Sequence, residues 1–409
     1  MRIWAFPSFY PYDYPDLHWH GIFAHRQIKA MVENGADIQV VQPVYWHPGG
    51  LLAGLHPDWK RAHELNYPAK RVHDGVTVYH PRIENLKPSR IFRKSYHDRY
   101  VSSIIGFFKN NGIKLDPKND IFYSQWAPDA GMVQEAAQKL GVRSAVMVVG
   151  DDVLILPQRS KHNHDFFVRT WQQADIRLAV AAYLGKEANK LVGTELPFYT
   201  IHRGVNYDFF KPAAQGEQEL LKREFGLPED KLLILTIGAP NERKGWHDLF
   251  DALKTVKDSY SNFVLAGVDG GLKILDLKEE ARKRGLENHF ISLGEVVPQK
   301  INRLYNAVDI FCLPSHSEGI ANSVVEAMSS GKAVITTNIC GHPELIKSYE
   351  TGILIPPKEP KVLSDTLLEL IGDEALRSRL GANARHFITA HWGNFADNAK
   401  ILQDILQTR

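Results

Sequence analysis

Glu318 and Glu326 stand eight residues apart in the stretch PSHSEGIANSVVEAMSSGKAVITTNICGHPEL, residues 314–345. The apolar run Ile310, Phe311, Cys312, Leu313 reads as a buried strand that stops at Pro314. A polar loop follows, then Asn322 or Ser323 as a helix N-cap, with Val324, Val325, Ala327 and Met328 as the apolar face. A helix start offers free N–H groups and the positive end of its dipole, which together attract an anion. Glu326 is expected in the first turn, where helical side chains lean back toward the N-terminus, so its carboxylate can reach the same place. A carboxylate beside an anion site is useful only as an acceptor for hydroxyls. Phosphate and hydroxyls side by side are the chemistry of a sugar nucleotide.

Three further strand ends carry related chemistry. Gly238, after the apolar residues 232–237, frees the backbone for close approach, and Lys244 can reach a diphosphate as a point charge. Arg243 can add a fork of donors, although neighbouring basic residues ahead of a helix are commonly just solvated. Gly267 belongs to a second glycine-rich strand end, Leu265 to Gly271, which alone is more often a turn than a phosphate cradle. Val296 lies in a third, residues 294–298, where backbone groups could meet a base edge. A first-turn glutamate can also serve only the helix dipole. Both glutamates in one strand–loop–helix setting, followed by Gly331 and Lys332, favour a ligand site.

These loops need a scaffold that holds strand ends together. Strand-like segments at 2–6, 37–41, 77–80, 121–124, 144–149, 176–180 and 198–201 alternate with helical patterns at 24–34, 130–139, 166–173 and 185–191. A second cycle has strands at 232–237, 262–266, 289–293, 310–313, 333–336 and 352–355. That rhythm predicts an α/β protein with mostly parallel, doubly wound sheets. With 409 residues, two domains are expected, joined near 203–212. The segment 391–407 is expected to cross back onto the first domain through Trp392, Phe395, Ile401 and Ile405.

Charge divides unevenly. Residues 1–205 hold 25 Lys+Arg against 19 Asp+Glu, and the remainder holds 24 against 28. The segment 82–114 alone has eight basic and two acidic residues, enough to account for the whole excess of the first half. It predicts an anionic neighbour. The basic stretch 86–94 leads into Tyr96, Tyr100, Ile104, Ile105, Phe107 and Phe108 at helical spacing, which suits peripheral contact with an anionic membrane through about 86–108. A core-packed helix fits the same spacing. No run approaches a membrane span, Met1 to Phe6 lacks the apolar core of a signal peptide, and two cysteines make no disulfide framework. A cytoplasmic protein, peripheral at the membrane if at all, is expected. The aromatic stretch Phe9 to Tyr14, with His18, Trp19 and His20, fits a sugar-stacking wall or a surface loop.

From about residue 205 to 381 the chain resembles the donor-binding half of family-4 retaining glycosyltransferases, which have the GT-B fold. The likeness is carried by Glu318-Gly319 through Glu326-Ala327-Met328, Gly331-Lys332, Gly341-His342-Pro343-Glu344-Leu345-Ile346 and Thr351 to Pro357. A looser likeness in the first half runs through Gly21-Ile22-Phe23, Gly150-Asp151-Asp152 and Gly204-Val205-Asn206 with Phe210-Lys211-Pro212. The resemblance implies two Rossmann-like domains facing across a cleft, with 1–204 binding the acceptor, joined by a C-terminal helix at about 386–409, and 205–385 binding the nucleotide sugar. It implies that Glu326 holds the ribose, that Glu318 holds hydroxyls of the transferred sugar, and that amides of Gly319, Ile320, Ala321 and Asn322 touch sugar and diphosphate. Lys244 matches the diphosphate lysine, Gly21 the glycine turn that lets the phosphates come close, and Asp152 the family aspartate. Glu318, Lys244, Arg243 and Asp152 are thus the expected catalytic group.

Three positions depart from the family. Ala239 stands for its arginine, Val149 for its histidine and Arg203 for a common asparagine. The implied reaction transfers a sugar, with retention, from a nucleotide-diphosphate sugar to a saccharide or lipid-linked acceptor in cell-envelope polysaccharide or glycoconjugate synthesis. No cofactor, no metal and no nucleic-acid partner is expected, and the adjacent Asp151 and Asp152 lack a third ligand. A nucleotide-sugar epimerase and a non-catalytic nucleotide-sugar binder remain alternatives.

Overall fold

The computed structural model describes residues 1–12, 21–47, 54–84, 95–270 and 274–408. The chain forms two compact units, Met1–Arg203 with Phe395–Arg409, and Gly204–Asn394. The first contains β1 (Arg2–Phe6), β2 (Asp37–Val41), β3 (Val44–Tyr45), β4 (Lys70–His73), β5 (Val76–Tyr79), β6 (Arg82–Ile83), β7 (Asp120–Gln125), β8 (Arg143–Val148), β9 (Ile176–Ala179) and β10 (Tyr199–Thr200). Eight of these make one sheet in the order β10-β9-β8-β7-β1-β2-β5-β4, and β3 pairs with β6. Every pairing in the large sheet is parallel except β4 with β5.

The second unit contains β11 (Leu232–Ile237), β12 (Phe263–Val268), β13 (Phe290–Gly294), β14 (Ile310–Leu313), β15 (Ala333–Thr337) and β16 (Ile353–Ile355). They form an all-parallel sheet ordered β13-β12-β11-β14-β15-β16. Both sheets reverse direction once, between β1 and β7 and between β11 and β14. Such a switch point splays the following loops apart and leaves a crevice at the strand C-termini. Continuous apolar strands such as LLILTI and IFCL are what a sheet covered on both faces requires. Val264, Phe311 and Val334 pack on one face with Tyr305 and Met328. Ile234, Leu265 and Ile335 pack on the other with Trp246 and Phe250.

Several expectations are corrected. The stripe on the helix Tyr96–Asn110 is core: Tyr100, Ile104, Phe107 and Phe108 pack with Trp4 and Phe122. These residues are therefore unavailable to a membrane, and 86–94 lies outside the described residues, as do 13–20 of the aromatic stretch and Gly271. No helix among the described residues is long and apolar enough to cross a membrane. The helix Phe395–Gln407 belongs to the first unit, but through Ala399, Leu402 and Leu406; Ile401 is half-exposed, and Trp392 stays in the core of the second unit.

The helix Glu374–Phe387 crosses the chain just beyond the Glu326 helix, and its Gly381 makes that crossing possible. A Cβ at Gly381 would stand 2.1 Å from the Gly331 carbonyl oxygen. Helix propensity favours alanine over glycine by about 1 kcal/mol, whereas forcing an atom into packed space costs about 1–3 kcal/mol. The contact wins. Gly381→Ala is expected to destabilise the fold by roughly 1 kcal/mol net, read as a lower denaturant midpoint; a raised midpoint would show that the crossing can open.

Candidate functional site

In the second unit the loops after β11 and β14 lie side by side at the switch point. Asn241 caps a 3-10 turn, Glu242–Lys244, by accepting from the Lys244 amide at 3.3 Å. The turn ends at Gly245, whose φ of +70° suits glycine. A Cβ there would lie 1.9 Å from the Pro314 carbonyl oxygen. Glycine thus lets one loop rest against the other. The Arg243 carbonyl accepts from the His316 amide at 2.8 Å, and His316 Nε2 stands 2.7 Å from Asp248 Oδ2.

This docking brings Lys244 Nζ to 2.5 Å from Glu318 Oε1, which also accepts from Ser315 Oγ at 3.1 Å. Both side chains are mostly buried, 17% and 12% exposed, so the pair holds its geometry better than a surface ion pair. The Lys244 stem lies over Gly238, where a Cβ would meet it at 3.1 Å. The glycine turn after β11 therefore serves the lysine's path.

The helix Asn322–Ser329 has Ala321 at its N-cap, with no side-chain cap. Neither Asn322 nor Ser323 caps it, so the first amides have no side-chain acceptor spent on them. Glu326 consequently falls in the second turn rather than the first. Tyr305, fully buried on the helix Pro298–Ala307, donates to Glu326 Oε2 at 3.1 Å. Burial and the adjacent carboxylate hold its phenol well above its ordinary range, so it remains a donor and fixes the glutamate. Gly319 accepts from the Gly341 amide at 3.2 Å, and Ile320 packs against the core.

Other expected residues take structural positions. Gly267 lies inside β12, where a Cβ would meet Phe290 and Trp246 at 2.9 Å. Val296 packs against the core. In the first unit, Gly21 adopts φ +75° before the helix Ile22–Glu33, and a Cβ would overlap the Phe9 carbonyl oxygen at 2.1 Å. Asp152 is buried and accepts from the Gly150 amide at 2.7 Å and the Val149 amide at 3.1 Å. Its carboxylate holds the strand–helix turn. Beside it is a cavity of about 750 Å³ lined by Tyr96, Trp126, Met132, Pro157 and Phe166, with Asp129 in its wall. Burial pushes the Asp129 carboxyl up, against a hydrogen bond from Ser8.

His342 enters the resemblance only as part of the run Gly341 to Ile346, with no role of its own. Its Nδ1 donates to the Thr337 carbonyl oxygen at 3.0 Å, and its buried Nε2 has no partner among the described residues. Nothing in the spacing gave it away, because its position depends on the fold of β15 and the short helix after it.

Residues 217–387 match the family Glycosyl transferases group 1. Along its whole length the chain is 26% identical over 410 residues to a Bacillus subtilis (strain 168) protein named for teichuronic acid biosynthesis, the glycosyltransferase TuaC, covering 98% of it. Among solved structures it is similar to sucrose-phosphate synthase from Thermosynechococcus elongatus, with a TM-score of 0.78 at 16% identity, covering 100% of this chain and 98% of that one. Anabaena Alr3699/HepE, solved in complex with UDP, gives 0.75 at 16% identity with 99% of both chains covered. These likenesses show the fold, which is GT-B.

Burial lowers the His342 pKa, so the neutral ring is the folded form. The unfolded chain then binds the extra proton first, and stability falls as pH drops below about 6.5. Denaturant midpoints between pH 5 and 8 are expected to fall less steeply on the acid side in His342→Asn. Parallel curves would mean that the ring protonates without cost.

Proposed function

We propose that the protein transfers a sugar, with retention, from a nucleotide-diphosphate sugar to a saccharide or lipid-linked acceptor in cell-envelope polysaccharide or glycoconjugate synthesis. The observation that carries this reading is the Lys244–Glu318 pair at 2.5 Å, set beside an N-cap without a side-chain acceptor and a Glu326 anchored by Tyr305. A diphosphate would take Lys244, and a sugar hydroxyl would take the carboxylate that Lys244 releases. Glu326 would accept from ribose hydroxyls, its second-turn position still allowing the side chain to lean back along the helix.

As the anomeric C–O bond breaks, charge collects on the diphosphate and the sugar becomes oxocarbenium-like. Lys244, Arg243 and the amides of Gly319 to Asn322 would stabilise the leaving oxygens, which needs no metal. The departing diphosphate oxygen, on the face that the acceptor hydroxyl approaches, takes the proton. The relative named for teichuronic acid biosynthesis supports the setting. The cavity beside Asp152 fits the acceptor. It lies at the strand C-termini of the first unit, and its apolar wall suits a ring face or an alkyl segment.

Glu326→Ala is expected to weaken nucleotide binding on the order of 10- to 100-fold, the worth of a charged hydrogen bond. Glu318→Gln separates the roles: free nucleoside diphosphate binds at least as well because Lys244 is released, while sugar transfer falls. Calorimetry with UDP, GDP and ADP and their sugars, followed by product analysis, tests both. Unchanged turnover in Glu326→Ala would remove that residue from the site, and isomerised donor without transfer would point to an epimerase. Met132→Trp, filling the cavity, should raise the acceptor KM and leave donor binding intact.

A further inference from the structure

We propose that His25, His73 and Asp74 form a site for one divalent cation of the zinc or cobalt type, which fastens the helix Ile22–Glu33 to the β4–β5 hairpin. One ligand atom from each residue lies within 4.8 Å of the other two. His25 is buried on the inner face of the helix, four residues after the Gly21 turn. The other two come from the hairpin, in which His73 pairs with Val76 across a two-residue Asp74-Gly75 turn. Both turn residues have positive φ, 49° and 80°, as such a hairpin demands. That conformation fixes the carboxylate beside the histidines. The two imidazole centroids are 4.7 Å apart.

Without a cation, His25 Nε2 donates to Asp74 Oδ2 at 3.2 Å, and Nδ1 accepts from the Tyr10 hydroxyl at 2.8 Å. Exchange for a cation requires only the other tautomer. The Nε2 lone pair turns to the metal, and Nδ1–H donates to the Tyr10 oxygen, because a hydroxyl serves in either sense. A ligating histidine whose second nitrogen is held by a hydrogen bond is the usual arrangement of a metal site. Two imidazoles and a carboxylate suit zinc-type cations and leave a fourth position for water. Asp74 is half-exposed, which gives an entry path. Lys29 Nζ, 3.7 Å from the same carboxylate oxygen, opposes the cation. The site belongs to the first unit, whereas Lys244, Glu318 and Glu326 belong to the second, and it would stiffen the first turn that Gly21 opens.

The test uses the full chain, stripped with a chelator and titrated with Co²⁺. One equivalent should produce the ligand-field absorption of a tetrahedral site, and Zn²⁺ should abolish it. His73→Ala and Asp74→Ala should lose the band while keeping the wild-type circular dichroism. Tyr10→Phe should weaken binding about 10- to 100-fold, and Lys29→Met should tighten it. The proposal is overturned if the stripped chain gives no band with equimolar Co²⁺. It is equally overturned if the His73 and Asp74 variants bind as the wild type does, which would place the metal on others of the 18 histidines.

Discussion

The approach of the Gly245 backbone to the Pro314 carbonyl oxygen is the constraint on which the site of the second unit depends. β11 and β14 are neighbours in the sheet, yet their loops start out on either side of the switch point. Only close backbone contact lets the Lys244 turn lean on the strand end that carries Glu318. A side chain at position 245 would push the turns apart by more than the length of a hydrogen bond can absorb. The His316–Arg243 backbone bond and the His316–Asp248 contact then lock the register of the two loops.

Given that geometry, the electrostatics follow. A mostly buried lysine and glutamate each lose hydration, and neither would be stable alone. Together, and with Ser315 on the same oxygen, they hold each other in place. The donor binding proposed here exchanges one compensated arrangement for another, so little reorganisation is needed when the diphosphate arrives. Glu326 is prepared differently. Tyr305 supplies a neutral donor, which orients the carboxylate without cancelling its charge.

What could be read from the sequence follows this division between local and distant causes. The apolar strands and the glutamate spacing are local, and they placed β11, β14 and the helix after it at once. The cap was misread because Asn322 and Ser323 have the right chemistry, and only the path of the loop decides that Ala321 takes the position. The stripe from Tyr96 to Phe108 was ambiguous because periodicity reports an apolar face and cannot say what covers it. The Asp74-Gly75 hairpin carried a readable turn signal, yet β4 is short and partly polar, so the strand before it gave no pattern. Gly245 and Tyr305 act through residues 69 and 21 positions away, and His342 through the fold of neighbouring strands. No spacing rule reaches them.

Ala239 and Val149 share a physical feature. Ala239 gives its carbonyl to the Trp246 indole at 3.2 Å, and Val149 gives its amide to Asp152. In both places the local structure is held by the backbone, so an arginine or a histidine can be lost without disturbing the turn that carried it. Such changes remove charge and hydrogen-bonding capacity from the site while leaving its frame intact. Arg203, at the end of the first unit, lies over the Phe23 ring at 5.6 Å, two residues after the Gly21 turn. A guanidinium can take a fork of acceptors that an amide side chain cannot.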